Sequence, residues 1–380
     1  MSLLDRSLLR AFLAMVGTII GAGVFGLPAA FVRLGFIPAT LLFAALTLVV
    51  MATHLILAEQ LLATRERQRL AGLARRGLGE FAYQVTSITY PLGIIATNYA
   101  YLILGGEFLA VLSRGFGYEL PVALLQVVFW LFVACTIMFG LKAMIAVDGW
   151  LVPLKMVVLV VAVVLAAPLV DFQQASTATW ANWHLPFGVF LFSLSGVSAV
   201  GEAVELAGRR RKTALVAVTL GSLVSAFLAW LFGATIFLAA GGYPVRDAAD
   251  IASVFPGALW WVVPLLGFLA VATAYVTTAN DLRSTFQFDQ KWKPWMAKAA
   301  AMFSPLILLA VLSRDFLSAI GFIGAILIGI NSLAIAALGY KAMFRHRDYV
   351  RHVLGTAGCA LLIGVYTFGI MQQIFTRTSL

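Results

Sequence analysis

GTIIGAGVFGLP, residues 17–28, places four glycines and a proline inside an apolar run long enough to be a helix. Both residue types weaken helices, so a cluster this dense needs a cause. The surroundings narrow the choice. The chain is 62% hydrophobic and 11% charged, with a mean hydropathy of +0.99, whereas about a quarter of the residues in a soluble domain are charged. A bilayer core of about 30 Å takes about 20 apolar residues in helical form. Runs of that kind recur at 8–32, 36–62, 83–112, 121–140, 149–170, 184–206, 213–239, 258–281, 296–312, 315–340 and 353–375. The expectation is an all-α integral membrane protein with eleven transmembrane helices.

Basic residues are retained on the cytoplasmic side in short loops. With the N-terminus inside, the inner segments hold twenty of the 26 Lys and Arg residues: Arg6, Arg10, Arg65 to Arg76, Lys142, Arg209 to Lys212, Arg283 to Lys298 and Lys341 to Arg351. Arg33, Arg114, Arg246, Arg314 and Arg377 fall outside, and Lys155 falls within a span. This predicts a cytoplasmic N-terminus and an external C-terminus in the plasma membrane. The formal charge of +10 then reflects attraction of inner loops to anionic lipid, with no nucleic-acid partner. The loops leave no soluble domain for an enzyme, and the first apolar run lacks a cleavage pattern, which predicts an uncleaved span. Cys135 and Cys359 show no metal-ligand spacing and read as buried small hydrophobes. No metal and no cofactor is expected.

Gly21, Gly23 and Gly26 satisfy GxGxxG, but a dinucleotide site needs a preceding strand and an acidic residue about 20 positions on; residues 34–58 contain no Asp or Glu. Gly17 and Gly21 form GxxxG, which lets membrane helices approach closely. The other reading is a helix broken at Gly21–Gly23. Unpaired backbone survives in the membrane only where it lines a cavity or is buried in protein. A half-helix starting there offers free amides and the positive end of its dipole to a carboxylate, and the carbonyls ending the other half suit an ammonium or a cation.

A transporter built this way carries a second break at the matching place of an inverted repeat. FGVFLFSLSGVSAVGEAVE, residues 187–205, has Ser193, Ser195, Gly196 and Ser198 near its middle. Spans 1–5 (1–170) and 6–10 (184–340) thus form two five-helix units of opposite orientation, with an extra eleventh helix at 353–375.

These residues resemble the amino acid/auxin permease family of the amino acid, polyamine and organocation transporter superfamily. GTIIGAGVFGLP resembles its first-helix signature, and YAYLILGGEFL (99–109), LFSLSGVSAVGEAVE (191–205), ATAYVTTANDLRSTFQFD (272–289) and FLSAIGFIGAILIGIN (316–331) follow its third, sixth, eighth and tenth helices in order. The resemblance implies the leucine-transporter fold and alternating access. It implies that Gly21, Ala22 and Gly23 offer amides to a substrate carboxylate. Carbonyls around Ile19, Ile20, Ser193 and Leu194 would receive the amino group. Asn98, Tyr101, Phe192, Ser198 and Tyr275 would surround the side chain. No carboxylate lies near the breaks, so neutral amino acids fit better than cationic ones.

For ion coupling, the resemblance aligns Thr273 and Ala274 with a hydroxyl pair of sodium-coupled members, leaving one hydroxyl missing. Lys155, in WLVPLKMVVLVV, matches a fifth-helix lysine that replaces sodium in some proton-coupled relatives. A lysine at the bilayer centre costs about 2.5–3.5 kcal/mol. Lys155 either couples to protons or snorkels to the inner surface, and Thr277, beside Thr278, keeps a sodium site open. His54 reads as a packed intramembrane histidine. Arg6 or Arg10 would close the inner mouth on Asp281 or Asp289. The function expected is proton-coupled symport of neutral amino acids. The alternatives are sodium symport and a sensor that binds an amino acid without net transport.

Overall fold

The computed structural model describes residues 3–64, 66, 68–139, 141–176, 183–241, 243, 250, 254–255, 257–345 and 355–378, and no strand occurs among them. Arg65, Arg67, Arg246, Arg347 and Arg351, which enter the orientation argument, and positions 353 and 354 lie outside the described residues. The first span is broken. Helix α1 (Leu3–Ile19) stops, Ile20 and Gly21 are non-helical, a 3-10 turn covers Ala22–Gly26, and α2 (Leu27–Leu34) completes the crossing at a bend of 40°. There follow α3 (Phe36–Ala63), α4 (Leu70–Leu78), α5 (Glu80–Gly115), α6 (Val122–Phe139) and α7 (Leu141–Ala166). A second broken span pairs α8 (His184–Leu194) with α9 (Val197–Leu206) across Ser195 and Gly196. Then come α10 (Arg211–Ala239), α11 (Ala258–Phe288) and α12 (Pro294–Val311). The next span joins α13 (Phe316–Phe322), a π-helical stretch Ile323–Ile328 and α14 (Gly329–Arg345), and α15 (Gly355–Thr378) ends the described chain.

Among the described residues nine helices are long and apolar enough to cross a bilayer, or ten with the bent pair Arg6–Ile19 and Ala22–Leu34 counted as one. The fourth expected span is the shorter apolar helix Val122–Met138. Burial sorts the helices into an inside and a rim. The broken span α8–α9 is 83% buried over its most apolar window and α5 is 78% buried, whereas α12 and α15 reach only 28%. Helix α5 packs along α11, and α1 lies against α7, α9, α10 and α11. The breaks therefore sit in protein, where unwound backbone is tolerated.

Two features depart from the sequence reading. Residues 70–78 form a helix, α4, with Leu70, Ala71, Leu73 and Ala74 buried and Arg75 and Arg76 exposed; nine residues are too few to register in a search for 20-residue spans. Helix α15 lies at the rim, 28% buried over its most apolar window, and is held there by Tyr366, buried with its hydroxyl 2.8 Å from Thr53 Oγ1, and by Phe368, which stacks on Trp183 at 5.3 Å. Cys359 is buried as expected for a small hydrophobe, whereas Cys135 is exposed on the outer side of α6.

Candidate functional site

The two breaks pack backbone to backbone. A Cβ built on Gly23 would lie 2.5 Å from Ser193 Cα, so only glycine allows the approach. Gly21 is less tightly constrained, with Ala274 Cβ at 3.0 Å and the Tyr101 hydroxyl at 3.1 Å from such a Cβ. Gly17 faces Val152 of α7 at 2.9 Å. The GxxxG pair thus serves two different neighbours, and close packing and helix breaking are both present. Within the break the Gly21 amide donates to Ile19 O at 2.9 Å, and the amides of Ala22 and Gly23 open the 3-10 turn, the position at which helical segments leave N–H groups unpaired.

Lys155 of α7 reaches the first break. Its Nζ donates to Gly17 O at 2.6 Å, Ile20 O at 2.8 Å and Thr273 Oγ1 at 2.7 Å. The side chain is fully buried, so the stem does not run to the surface. Thr273 donates its own hydrogen to Leu269 O at 2.9 Å, which leaves its oxygen free to accept. Thr277 lies one turn along α11, with its hydroxyl 3.3 Å from Thr273 O.

A cavity of about 50 Å³ adjoins both breaks, and a single buried water needs only about 10–15 Å³. Tyr90, Gly93, Ile94, Thr97 and Tyr101 line it from one face of α5, Thr18 from α1, Phe192, Ser195, Val197 and Ser198 from the second break, Thr278 from α11, and Ile328 and Asn331 from the α13–α14 span. Eleven residues separate Tyr90 from Tyr101, so the cavity follows α5 for roughly 16 Å. No charged side chain is among the lining residues. Three buried polar atoms at this depth, Asn98 Nδ2, Ser193 Oγ and the Tyr275 hydroxyl, have no hydrogen-bond partner among the described residues.

Beyond the first break lies an aromatic cluster: the Phe25 ring meets Phe108 at 4.7 Å and Phe232 at 5.4 Å, both edge-on. Toward α4 a cluster of charges adjoins the cavity through Tyr90. The Tyr90 hydroxyl donates to Asp281 Oδ2 at 2.5 Å, Arg69 Nε forms an ion pair with Asp281 Oδ1 at 3.1 Å, and Arg69 Nη1 lies 3.6 Å from Glu205. Burial opposes the Arg69 charge, but the Asp281 and Glu205 carboxylates outweigh it and hold the guanidinium's pKa above its ordinary value. Asp289 accepts from the Arg69 and Gly72 amides at 2.9 and 3.0 Å and so caps α4. The pairing expected of Arg6 or Arg10 is thus made by Arg69, while Arg6 and Arg10 are exposed. Arg283 turns to Asn280 at 2.7 Å.

The structure places the sequence-predicted residues in three groups. Tyr101, Phe192 and Ser198 line the cavity. Asn98, bonded to Thr278 at 2.5 Å, and Tyr275, whose ring is 6.4 Å from that of Tyr101, stand one layer behind. Ile19, Ile20, Gly21, Ala22, Gly23, Ser193 and Leu194 form the breaks, with Ile19 against Gly196 and the Ile20 carbonyl on Lys155. Sequence reasoning missed Thr18, Tyr90, Thr97 and Asn331, and named Ser195 only as part of the break and Thr278 only beside a sodium site. The i, i+3, i+4, i+7, i+11 spacing from Tyr90 to Tyr101 was the signal available for the α5 members.

Residues 5–376 match the sequence profile of the Tryptophan/tyrosine permease family. The chain belongs to this family. The permease is therefore a multispan membrane transporter and not an enzyme, and the profile names tryptophan/tyrosine permeases where the motifs resemble amino acid/auxin permeases. The permease is also 20% identical over 385 residues, 98% of its own length and 99% of the other's, to Glutamine transporter 2 of Aliivibrio fischeri. Among solved structures it resembles MhsT in complex with L-phenylalanine, with a TM-score of 0.71 at 14% identity over 97% of this chain and 98% of that one. It also resembles the Eremococcus coleocola manganese transporter, at 0.66 and 13% over 98% and 87%. Mhp1, a nucleobase-cation-symport-1 family transporter in a closed conformation, follows at 0.65 and 12% over 90% and 80%. At such identities these likenesses establish the fold, the leucine-transporter fold with broken first and sixth helices.

Proposed function

We propose that the protein is a symporter of neutral amino acids with aromatic side chains, tryptophan and tyrosine foremost, driven by the proton gradient. The observation that carries this reading is the Lys155 ammonium bonded to Gly17 O and Ile20 O of the first break, beside an uncharged cavity. The family's name supports the substrate class. The rings of Tyr90, Tyr101 and Phe192 give an aromatic substrate apolar walls. The hydroxyls of Thr97, Ser195, Ser198 and Thr278 and the Asn331 amide give an indole N–H or a phenol its partners. The substrate carboxylate is assigned to the amides of Ala22 and Gly23, and to that of Gly21 once it leaves Ile19 O, and the ammonium to carbonyls of the second break at Ser193 and Leu194. Asn98, Phe192, Ser193 and Tyr275 supply or border the polar atoms still open to a ligand.

In this reading Lys155 and Thr273 occupy the place where sodium-coupled relatives hold their ion, and Ala274 offers only a methyl group there. Sodium symport, with Thr273 and Thr277 as ligands, is the second reading, supported by the cation symport in the name of the Mhp1 family. Glutamine is the second substrate, from the name of the Aliivibrio relative. The two five-helix repeats are assigned to 1–170 and 184–340 and the extra helix to 353–375. The orientation proposed is N-terminus cytoplasmic and C-terminus external in the plasma membrane. The test is flux into proteoliposomes with tryptophan, tyrosine, phenylalanine and glutamine under imposed proton or sodium gradients. Accumulation of tryptophan or tyrosine on an inward proton gradient is expected. Binding without accumulation identifies a sensor, and accumulation on sodium alone overturns proton coupling.

A further inference from the structure

His54 of α3 lines no part of the cavity, yet it meets the second break at an amide that the break frees from helical pairing. Gly196, the N-cap of α9, which follows the C-cap Ser195 of α8, donates its N–H to His54 Nε2 at 2.9 Å. A ring nitrogen that accepts must carry a lone pair, so the ring hydrogen sits on Nδ1, where it donates to Ser222 Oγ of α10 at 2.9 Å. The imidazole is therefore neutral and of one tautomer. It is fully buried. A Cβ on Gly196 would lie 2.7 Å from Ile19 Cγ1 and 3.3 Å from His54 Cε1, so the glycine is held between α1 and the ring. The neighbours of that amide, Ser195, Val197 and Ser198, are cavity wall.

We propose that His54 is a positioning residue for the substrate: by accepting the Gly196 N–H it fixes the wall formed by Ser195 to Ser198. A buried N–H without an acceptor shifts until it finds one, and the two serines on either side shift with it. Ser222 acts one step further out, by keeping the hydrogen on the ring nitrogen that faces away from Gly196. This proposal rests on the cavity being the amino-acid site.

The test compares two substitutions in the full-length purified protein. His54→Gln carries an amide to the place of Nε2, whereas His54→Asn reaches only the place of Nδ1; both are polar and both lose the ring, and His54→Asn loses one methylene more, a loss of about 0.8 kcal/mol or about fourfold, below the effect of about tenfold expected. Binding of radiolabelled tryptophan or tyrosine is expected to stay within about threefold of wild type in His54→Gln and to weaken at least about tenfold in His54→Asn. Amide exchange of the 195–198 segment, measured without substrate, is expected to accelerate in His54→Asn only. Equal dissociation constants for the two variants, or equal exchange, overturn the proposal. If wild type binds neither amino acid, the substrate reading has failed and the exchange comparison still decides the role of His54. Should His54→Asn not fold, Ser222→Ala takes its place: binding about threefold weaker supports the proposal and an unchanged constant overturns it.

Discussion

An ammonium has three N–H donors, and Lys155 meets three oxygens at 2.6, 2.8 and 2.7 Å in a site closed to water. Two of those oxygens exist as free acceptors only because the helix is broken beside them. The charged lysine therefore stabilises the break, and loss of its proton releases Gly17 O and Ile20 O. One charge carried across 100 mV is worth about 2.3 kcal/mol, enough to drive a substantial gradient at one proton per substrate. Lys155→Ala is expected to abolish proton-driven accumulation in proteoliposomes while exchange of labelled for unlabelled substrate persists; continued accumulation by this variant would remove Lys155 from the coupling step. Thr273→Ala takes away one acceptor of three and should impair accumulation less. If sodium drives transport instead, the order of the two variants reverses. Lysine in an apolar run is visible in the sequence. Its acceptors are not, because two are main-chain oxygens set 138 and 135 positions away, and a main-chain oxygen has no residue type.

Between elements the closest contacts are made by glycines. On α8, a Cβ at Gly188 would lie 2.1 Å from Gly321 O, and one at Gly324 only 1.9 Å from Gly188 O. The second broken span thus lies backbone against backbone on the span that contains the π-helical stretch Ile323–Ile328. Such close approach of small residues is the main way membrane helices gain packing, since lipid tails are as apolar as leucine. Gly188→Ala is expected to destabilise the fold by about 1–3 kcal/mol through overpacking, read as a lower midpoint in a detergent thermal melt. Gly364→Ala is the control: nothing lies within 4 Å of its Cβ position on exposed α15, and alanine is the better helix former by up to about 1 kcal/mol, so its midpoint should hold or rise. At this scale the sequence was largely readable, since apolar length located the long helices, although α7 begins at Leu141 and not 149 and α11 runs on to Phe288 and not 281, and Gly21–Gly23 and Ser195–Gly196 marked the breaks. Helix α4 escaped because amphipathic helices of nine residues leave no long apolar run. The π stretch escaped because its apolar sequence, IGAILI, fits an α-helix equally well.

At the scale of the whole molecule, two clusters that flank the cavity are held by different physics. Phe25, Phe108 and Phe232 hold one by ring packing, which any apolar exchange of similar volume would preserve. Arg69 holds the other by charge, joining α4 to α9 through Glu205 and to α11 through Asp281, with Tyr90 of α5 completing the shell around that carboxylate. This cluster was only half legible. Asp281 stands out as an acidic residue at a span end, but several arginines compete for it, and the folded loop between α3 and α5 decides in favour of Arg69. Removing one partner of such a pair strands the other as a buried charge, at about 3–5 kcal/mol in the closed state. An open state that admits water to Asp281 escapes that penalty, so the equilibrium moves toward opening at the α4 end. The measurable consequence is access to the cavity. With Cys135→Ser and Cys359→Ala as background, Ser198→Cys places a thiol on the cavity wall. A polar thiol reagent should label it slowly in the otherwise native protein and at least about tenfold faster once Arg69→Ala is added. A shift of 1.4 kcal/mol suffices for that factor, well under the penalty that the unpaired carboxylate imposes. Labelling rates that stay equal would mean that Arg69 does not govern access.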